Sequence, residues 1–366
     1  MRQLPVQKRP LHYALPDDRD RLLLSRVHAT RSASSRPASS LPEALAMLQA
    51  PCRSCQLANW PQFAIDHNRD ERRTMSPPRE LRVLSLQSHV VYGYVGNKSA
   101  TFPMQLHGLE VDPLNTVQFS THSGYPVVRG QRMDGEQLDT LIEGLEANGI
   151  LEKYTHVITG YIGSVSLVRT LARVVRDLKR RNPDLMYVCD PVMGDEGKLY
   201  VPQEMVPAFR DEIVPLADVL TPNQFELEQL TGKAILSEAD AIAAIDFAHS
   251  QLGVKSILVT STEYDSSEIF VIGSTKGGEL FSIAVPRLST PFSGAGDLCT
   301  ALTLVWHTVH KEPLISAAEK VVATIQAVLA RTMRAGQEEL CLIQSKTDLE
   351  QPVVTIRARI IDRPVV

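Results

Sequence analysis

The stretch LRVLSLQSHVVYGYVGNKSATFPMQLHG (residues 81–108) is the first of a series of strand-and-helix units. It begins with an apolar run rich in Leu and Val that ends at small polar residues. Gly93 and Gly96 follow, and a helical pattern then occupies residues 97–108. An apolar run, a glycine-bearing turn and a helix in this order are typical of one βα unit of a parallel sheet.

The same alternation continues along the chain. Further strand-like runs lie at 111–119, 154–160, 185–190, 217–222 and 256–261, and amphipathic helical stretches lie at 134–149, 164–181, 203–213 and 237–252. Strands that alternate with helices of about 10–15 residues indicate βαβ units and a mainly parallel sheet. The almost continuous apolar run SILVTS (256–261) is typical of a strand that is covered on both faces. The sequence therefore predicts an α/β fold.

Polar residues stand where the predicted strands end, namely Ser88, Thr159, Asp190, Thr221 and Thr260. In sheets of this type, ligands bind beyond the carboxyl ends of the strands. We therefore expect a binding site at this edge of the sheet.

Residues 1–80 differ in composition from the rest of the chain. They contain Ser-, Pro- and Arg-rich tracts such as TRSASSRPASS (30–40), and their apolar residues follow no sustained period. Such a segment cannot bury enough apolar surface to offset the entropy of ordering it, so we predict a disordered N-terminal extension before a domain spanning 81–366. Cys52 and Cys55 form a CxxC pair, but a structural zinc site needs four ligands and no second pair follows at a suitable spacing.

Composition and charge argue against several classes of function. A net charge of −4 argues against a general nucleic-acid-binding protein. No apolar run reaches the roughly 18 residues that a membrane span needs. The five cysteines are an odd number in a long chain, which fits a reducing compartment better than a disulfide framework. We therefore expect a cytoplasmic protein.

The segment STPFSGAGDLCTALTLVWHTV (289–309) carries the strongest chemical signal. Its turn of small residues, Ser293 to Gly296, leads directly to Asp297 and an apolar helix. The free N–H groups and partial positive charge of a helix start bind anions. Asp297 could accept the proton of an attacking hydroxyl group while these amides stabilise a migrating phosphoryl group. The alternative is that Asp297 only caps the helix.

Two further segments place carboxylates near the predicted site. Asp190 ends a buried strand and Asp195 follows in a glycine-bearing loop, so the pair could hold Mg²⁺ or could simply shape the turn. Asn223 and Glu226 are three residues apart at a helix start and share one face of that helix, where both could serve as caps.

Other motifs are absent from the sequence. There is no GxxxxGK[ST] motif, so the chain is not a P-loop enzyme, and residues 90–99 lack the dinucleotide fingerprint GxGxxG. His89, His122 and His156 do not have the spacing of metal ligands, and we expect them behind the site or at the surface.

Taken together, these segments resemble the ribokinase-like superfamily and, within it, the pyridoxal kinase family. The resemblance extends from Leu81 almost to the C-terminus, and SGAGD (293–297) alone marks only the superfamily. LQSHVVYGYVGN (86–97) and NTVQFSTHSGY (115–125) are more specific, because these segments build the B6 pocket in that family. The resemblance implies a ribokinase-like three-layer α/β/α sandwich with a mainly parallel central sheet. It also implies ATP-dependent phosphorylation of the 5′-hydroxymethyl group of B6 vitamers.

The resemblance also implies a role for individual residues. Asp297 would be the general base, with Gly294, Ala295 and Gly296 as the anion hole for the transferred phosphate. The residues that would contact the vitamer are Ser88, Ser123, Tyr161 and Tyr200. Asp190 and Asp195 would arrange metal ions near the ATP phosphates, and Asn223 and Glu226 would reach them through water. Thr221, Thr260 and Ser261 would contact a monovalent cation or the nucleotide phosphates.

The cofactors and partners that the resemblance implies are Mg²⁺ or another divalent cation with ATP, a monovalent cation such as K⁺, and a second copy of the chain in a homodimer. Ala295 stands where Thr is common in the family, and Ser123 stands where Thr is expected in the animal enzymes. The segment between Thr262 and Ser293 is short for a cover over the nucleotide. Two alternatives remain, namely a hydroxymethylpyrimidine kinase of the same fold and a catalytically silent protein that binds a vitamer or a protein partner.

Overall fold

The computed structural model describes residues 80–264, 268–288 and 292–362, so residues 1–79 of the predicted extension lie outside the described residues. The strands, in chain order, are β1 (Arg82–Val90), β2 (Glu110–Phe119), β3 (Gly130–Arg132), β4 (His156–Thr159), β5 (Met186–Cys189), β6 (Gly194–Asp195), β7 (Lys198–Leu199), β8 (Val219–Leu220), β9 (Ser256–Thr262), β10 (Glu268–Thr275), β11 (Leu280–Pro286) and β12 (Arg359–Ile360). The helices are α1 (Asn97–Leu106), α2 (Gly135–Ala147), α3 (Val165–Arg181), α4 (Met205–Ala208), α5 (Gln224–Thr231), α6 (Glu238–Gln251), α7 (Ala295–Thr303), α8 (Leu314–Arg334) and α9 (Lys346–Glu350).

Within the described residues, a ten-stranded sheet has the order β12-β11-β10-β9-β8-β5-β4-β1-β2-β3. The six strands from β9 to β2 in this order are parallel to one another. Strands β10 to β12 at one edge and β3 at the other pair antiparallel. Because β2 and β4 lie on opposite sides of β1, the strand order reverses there, and a crevice opens beyond the carboxyl ends of β1 and β4.

Helices cover both faces of this sheet, because successive side chains of a strand point to opposite faces. In β1, Leu84 and Leu86 pack in the core on the side of α2 to α6. Val83, between Arg82 and Leu84, packs in the second core with α1, α7, α8 and α9. Leu258 in β9 likewise belongs to the second core, although its neighbour Ile257 belongs to the first. The predicted α/β/α sandwich with a mainly parallel sheet is therefore confirmed.

Three details differ from the sequence-based expectations. The predicted helix at 203–213 consists of the short α4 followed by a π-helical turn at Phe209–Ile213. The region after Thr262 adds the antiparallel strands β10 and β11 to the sheet. His156 is only 5% exposed at the start of β4, so the expected position behind the site or at the surface is wrong for this residue. In the part of the chain that is described, no helix is long and apolar enough to cross a membrane.

Candidate active site

Helix α7 begins at the small-residue turn that the sequence singled out. Gly294 is its N-cap residue with a φ of 83°, and among the described residues no side chain caps the helix. A Cβ atom at Gly294 would lie 1.8 Å from the Tyr94 carbonyl oxygen, so only glycine fits this position. The N–H groups of the first turn therefore have no side-chain acceptor and can receive an anion. Asp297 lies inside the first turn, so the alternative that it caps the helix is wrong.

Asp297 lies at the crevice between the ends of β1 and β4. The backbone N–H of Gly96, in the loop after β1, donates a hydrogen bond to its carboxylate. A Cβ atom at Gly160, which directly follows β4, would lie 3.5 Å from Oδ1 of Asp297. Burial raises the pKa of Asp297 to about 6, against the opposing effect of the Gly96 N–H. This carboxyl group is therefore ionised at neutral pH and still basic enough to accept a proton.

Asp190 is buried directly after β5 and lies near two other carboxylates. The Thr300 hydroxyl donates a hydrogen bond to Asp190 Oδ2 at 3.1 Å, and the Thr221 hydroxyl oxygen lies 2.8 Å from that of Thr300. Burial, followed by the negative charges of Glu226 and Asp297, raises the pKa of Asp190 well above its usual range. This concentration of negative charge favours a cation at Asp190.

Asn223 and Glu226 form a capping box at the start of α5. The Glu226 N–H donates to Asn223 Oδ1 at 2.8 Å, and the Asn223 N–H donates to Glu226 Oε2 at 2.9 Å. Glu226 Oε1 also accepts a hydrogen bond from the Met193 N–H at 2.9 Å. Burial raises the pKa of Glu226, although these N–H groups oppose the shift. The predicted capping role is confirmed, and Glu226 additionally ties α5 to the loop after β5.

Asp195 has a more exposed position in the β6–β7 hairpin. Its Oδ1 accepts a hydrogen bond from the Glu196 N–H at 2.8 Å, as expected of a turn residue. Among the described residues, no group of three or more His, Cys, Asp or Glu side chains is placed to hold a metal ion. Mg²⁺ takes few protein ligands and several from phosphate and water, so this donor set is compatible with a metal that arrives with the nucleotide.

Of the residues predicted to contact the vitamer, Ser88 lies near the end of β1, whereas Ser123, Tyr161 and Tyr200 lie in loops after strands. Ser88 packs against Gly96, where an added Cβ would lie 2.4 Å from Ser88 Oγ. The hydroxyl of Tyr161 accepts a hydrogen bond from Arg132 at 2.9 Å. Ser123 is exposed and, with Arg132, lines an open cleft of about 630 Å³. Tyr200 is 61% exposed.

The remaining predicted residues lie beside the carboxylates. The Thr260 N–H donates a hydrogen bond to the Pro222 carbonyl at 2.9 Å, which places the end of β9 next to Thr221. Ser261 follows Thr260 and is half-buried. The structure thus groups Asp190, Glu226 and Thr221 near Asp297 and the turn Ser293–Gly296 at the start of α7. Ser88 lies on the opposite side of Gly96.

Sequence reasoning missed several groups at this site, among them Thr300, the Gly96 N–H and Gln87. Thr300 follows Asp297 by three residues, so its position on the same helix face was a usable signal. The Gly96 N–H is a backbone donor and has no side-chain signature. Gln87 is fully buried, and among the described residues its Oε1 has no hydrogen-bond partner. A Cβ atom at Gly160 would lie 3.0 Å from that oxygen.

Comparison with known proteins places the chain among small-molecule kinases. A model of the phosphomethylpyrimidine kinase family matches residues 135–342. A pyridoxal kinase from Arabidopsis thaliana is 51% identical over 292 residues, which cover 76% of this chain and 94% of that protein. Human pyridoxal kinase is 39% identical over 311 residues, which cover 77% of this chain and 99% of that protein.

Solved structures give the same result. A pyridoxal kinase from Leishmania donovani in complex with ADP and pyridoxamine superposes with a TM-score of 0.73 at 36% identity. The match covers 77% of this chain and 100% of that chain.

Proposed function

The chain belongs to the pyridoxal kinase family of the ribokinase-like fold, and we propose that it transfers the γ-phosphoryl group of ATP to the 5′-hydroxymethyl group of pyridoxal, pyridoxine and pyridoxamine. The observation that carries this proposal is the position of Asp297. The carboxyl group of Asp297 has a raised pKa and lies in the first turn of α7, beside the crevice between β1 and β4. A base and an anion-binding helix start are thus adjacent, as phosphoryl transfer requires.

The chemistry rests on residues of this chain. Asp297 accepts the proton of the vitamer hydroxymethyl group as the hydroxymethyl oxygen attacks the γ-phosphorus of ATP, and the bond from this phosphorus to the bridging oxygen breaks to release ADP. The backbone N–H groups of Gly294, Ala295 and Gly296 stabilise the negative charge on the transferred group. Ala295 lacks a hydroxyl, but the amide contact does not need one. Ser88, Ser123, Tyr161 and Tyr200 orient the vitamer ring, so that the hydroxymethyl group approaches in line.

Asp190 is the residue of this chain best suited to hold Mg²⁺, because its carboxylate is buried beside other negative charges. The Glu226 oxygens already accept backbone N–H groups, so Glu226 and Asn223 would act on the metal through water. Asp195 would approach the metal from the exposed β6–β7 hairpin. When bound, the metal neutralises charge on the nucleotide phosphates.

Other features are proposed from family membership. Thr221, Thr260 and Ser261 would contact a monovalent cation such as K⁺ or the nucleotide phosphates. The protein would be a cytoplasmic homodimer that binds neither nucleic acid nor membrane, with residues 1–80 as a disordered extension of the 81–366 domain. Light scattering after size-exclusion chromatography would test the dimer, and replacement of K⁺ by Na⁺ in the assay would test the cation.

A hydroxymethylpyrimidine kinase is the second candidate, because the matching family model is named for phosphomethylpyrimidine kinase, whose substrate has the same methylpyrimidine ring. A coupled assay with ATP and Mg²⁺ should compare the three vitamers with hydroxymethylpyrimidine on the purified chain. We expect a vitamer to give the highest kcat/KM. A preference for hydroxymethylpyrimidine would favour the second candidate, and no turnover of any substrate would favour the catalytically silent alternative.

A further inference from the structure

Glu339 lies outside every segment that the sequence analysis singled out, yet its side chain reaches the candidate active site. It follows α8 and is next to Leu340, which is buried in the core with α1 and α7. The Cys341 N–H donates a hydrogen bond to the Thr332 hydroxyl at 3.0 Å, which fixes this part of the backbone to α8. The Glu339 side chain is only 11% exposed and therefore extends from a fixed base into the interior.

The Glu339 carboxylate accepts hydrogen bonds from two loops beside the vitamer residues. Its Oε2 accepts from the Tyr94 N–H at 2.9 Å, in the loop after β1. Its Oε1 accepts from the Tyr125 hydroxyl at 2.8 Å and contacts His122 Nε2 at 3.0 Å, in the loop after β2. One carboxylate thus joins two segments that are separate in the sequence.

The His122 contact has a defined polarity. The Gly124 N–H lies 3.1 Å from His122 Nδ1, and a backbone N–H can only donate, so Nδ1 is the acceptor. His122 Nε2 therefore carries the ring proton, and its N–H donates a hydrogen bond to Glu339 Oε1. The Ser293 hydroxyl lies 3.3 Å from the same Nδ1, which links this loop to the turn before α7.

The residues that Glu339 holds are neighbours of the reacting groups. The carbonyl oxygen of Tyr94 packs on Gly294 so closely that a side chain at Gly294 would overlap it. Two residues after Tyr94, the Gly96 N–H donates to Asp297. Ser123 of the predicted vitamer pocket directly follows His122. A displacement of either loop would therefore move groups on both the vitamer side and the phosphate side.

We propose that Glu339 is a positioning residue that holds the loops after β1 and β2 in the geometry needed for vitamer binding and phosphoryl transfer. This inference rests on the proposed function. A carboxylate suits the position because every partner named above donates a hydrogen bond to it. Glutamine would have to present its amide NH₂ to at least one of these donors, so one bond would be lost and replaced by a repulsive contact.

Glu339→Gln is the principal test, and Glu338→Gln is the matched control. Glu338 is the preceding residue, is exposed, and loses the same charge. For Glu339→Gln we expect kcat/KM for pyridoxal to fall about ten- to hundredfold, because a loop displacement on the ångström scale misaligns reacting groups. We expect KM for ATP to stay within about twofold of the wild-type value, because the substitution removes no contact that is proposed to bind the nucleotide. Glu338→Gln should match the wild-type enzyme.

Tyr125→Phe keeps the test decisive if Glu339→Gln does not fold. It removes one donor and leaves the carboxylate with Tyr94 and His122, so KM for pyridoxal should rise by roughly two- to tenfold. An unchanged KM in this variant would overturn the proposal. Wild-type kinetics of a folded Glu339→Gln variant would also overturn the proposal, because the contact would then not be needed. Equal rises in KM for pyridoxal and for ATP would overturn it as well, because they indicate a purely structural role.

Calorimetric titration with pyridoxal separates this inference from the proposed function, because binding does not require turnover. An inactive wild-type enzyme would overturn the kinase proposal alone. Weaker pyridoxal binding by Glu339→Gln than by Glu338→Gln would still support the positioning role, and equal binding would overturn it.

Discussion

On the proposed phosphate side of the site, Asp190 and Glu226 are buried where a strand ends and a helix begins, whereas on the proposed vitamer side Ser123 and Tyr200 are exposed on loops. The phosphate side is held by backbone elements, namely the start of α7, the end of β5 and the capping box of α5. The vitamer side is held by side-chain contacts such as those of Glu339 and Arg132. With the proposed roles, charge stabilisation would depend on rigid elements, while recognition of the ring would depend on loops that other side chains must hold.

The largest expected effect is on the phosphate side. Asp297→Asn removes the proton acceptor but preserves the shape of the side chain, so kcat should fall about 10²–10⁴-fold. Steady-state kinetics with saturating pyridoxal and ATP measure the loss, and an unchanged melting temperature shows that the fold is intact. A variant that keeps more than a tenth of the wild-type kcat would remove Asp297 from the role of base.

The pH dependence of the reaction tests the same carboxyl group without a mutation. Because burial raises the pKa of Asp297 to about 6, this group gains a proton as the pH falls through 6 and can then no longer accept one. The rate should therefore decline by about tenfold per pH unit on the acidic side. The residual activity of Asp297→Asn is the control, since ionisation of the vitamer affects both enzymes. An acidic limb that persists in the variant would assign it to another group.

A smaller effect is expected on the vitamer side. Ser88→Ala removes one neutral hydrogen bond, which contributes about 0.5–1.5 kcal/mol, so KM for pyridoxal should rise by roughly tenfold at most. The value of kcat and KM for ATP should remain near those of the wild-type enzyme. A fall in kcat with unchanged KM would place Ser88 on the phosphate side and would contradict the division between the two halves.

The smallest expected effect concerns residues 1–74, which contain no residue assigned to either half of the site. A protein that begins at Met75 should match the full chain in kcat/KM for pyridoxal and in melting temperature. The physical reason is that the composition of this segment supplies little apolar surface to bury. A melting temperature lower by many degrees would show that the segment is an integral part of the fold.

The sequence predicted the parts of the site that are built from contiguous residues. The turn Ser293–Gly296 and the helix behind it were visible as one segment, and the capping box of Asn223 and Glu226 was visible from its spacing. The antiparallel strands β10 and β11 were not predicted. The burial of His156 was also missed, because a single histidine carries no periodic signal.

The sequence by itself determined the alternation of strands and helices and the anion-binding start of α7, since both arise from periodicity and from glycine and acidic residues close together in the chain. The tertiary structure alone decided which backbone N–H meets Asp297 and which of the adjacent Glu338 and Glu339 enters the site. Tyr94 and Glu339 are 245 positions apart, and their hydrogen bond depends on where the folded chain brings them. Local sequence patterns report local interactions, whereas a contact over such a separation is set by the packing of the whole domain.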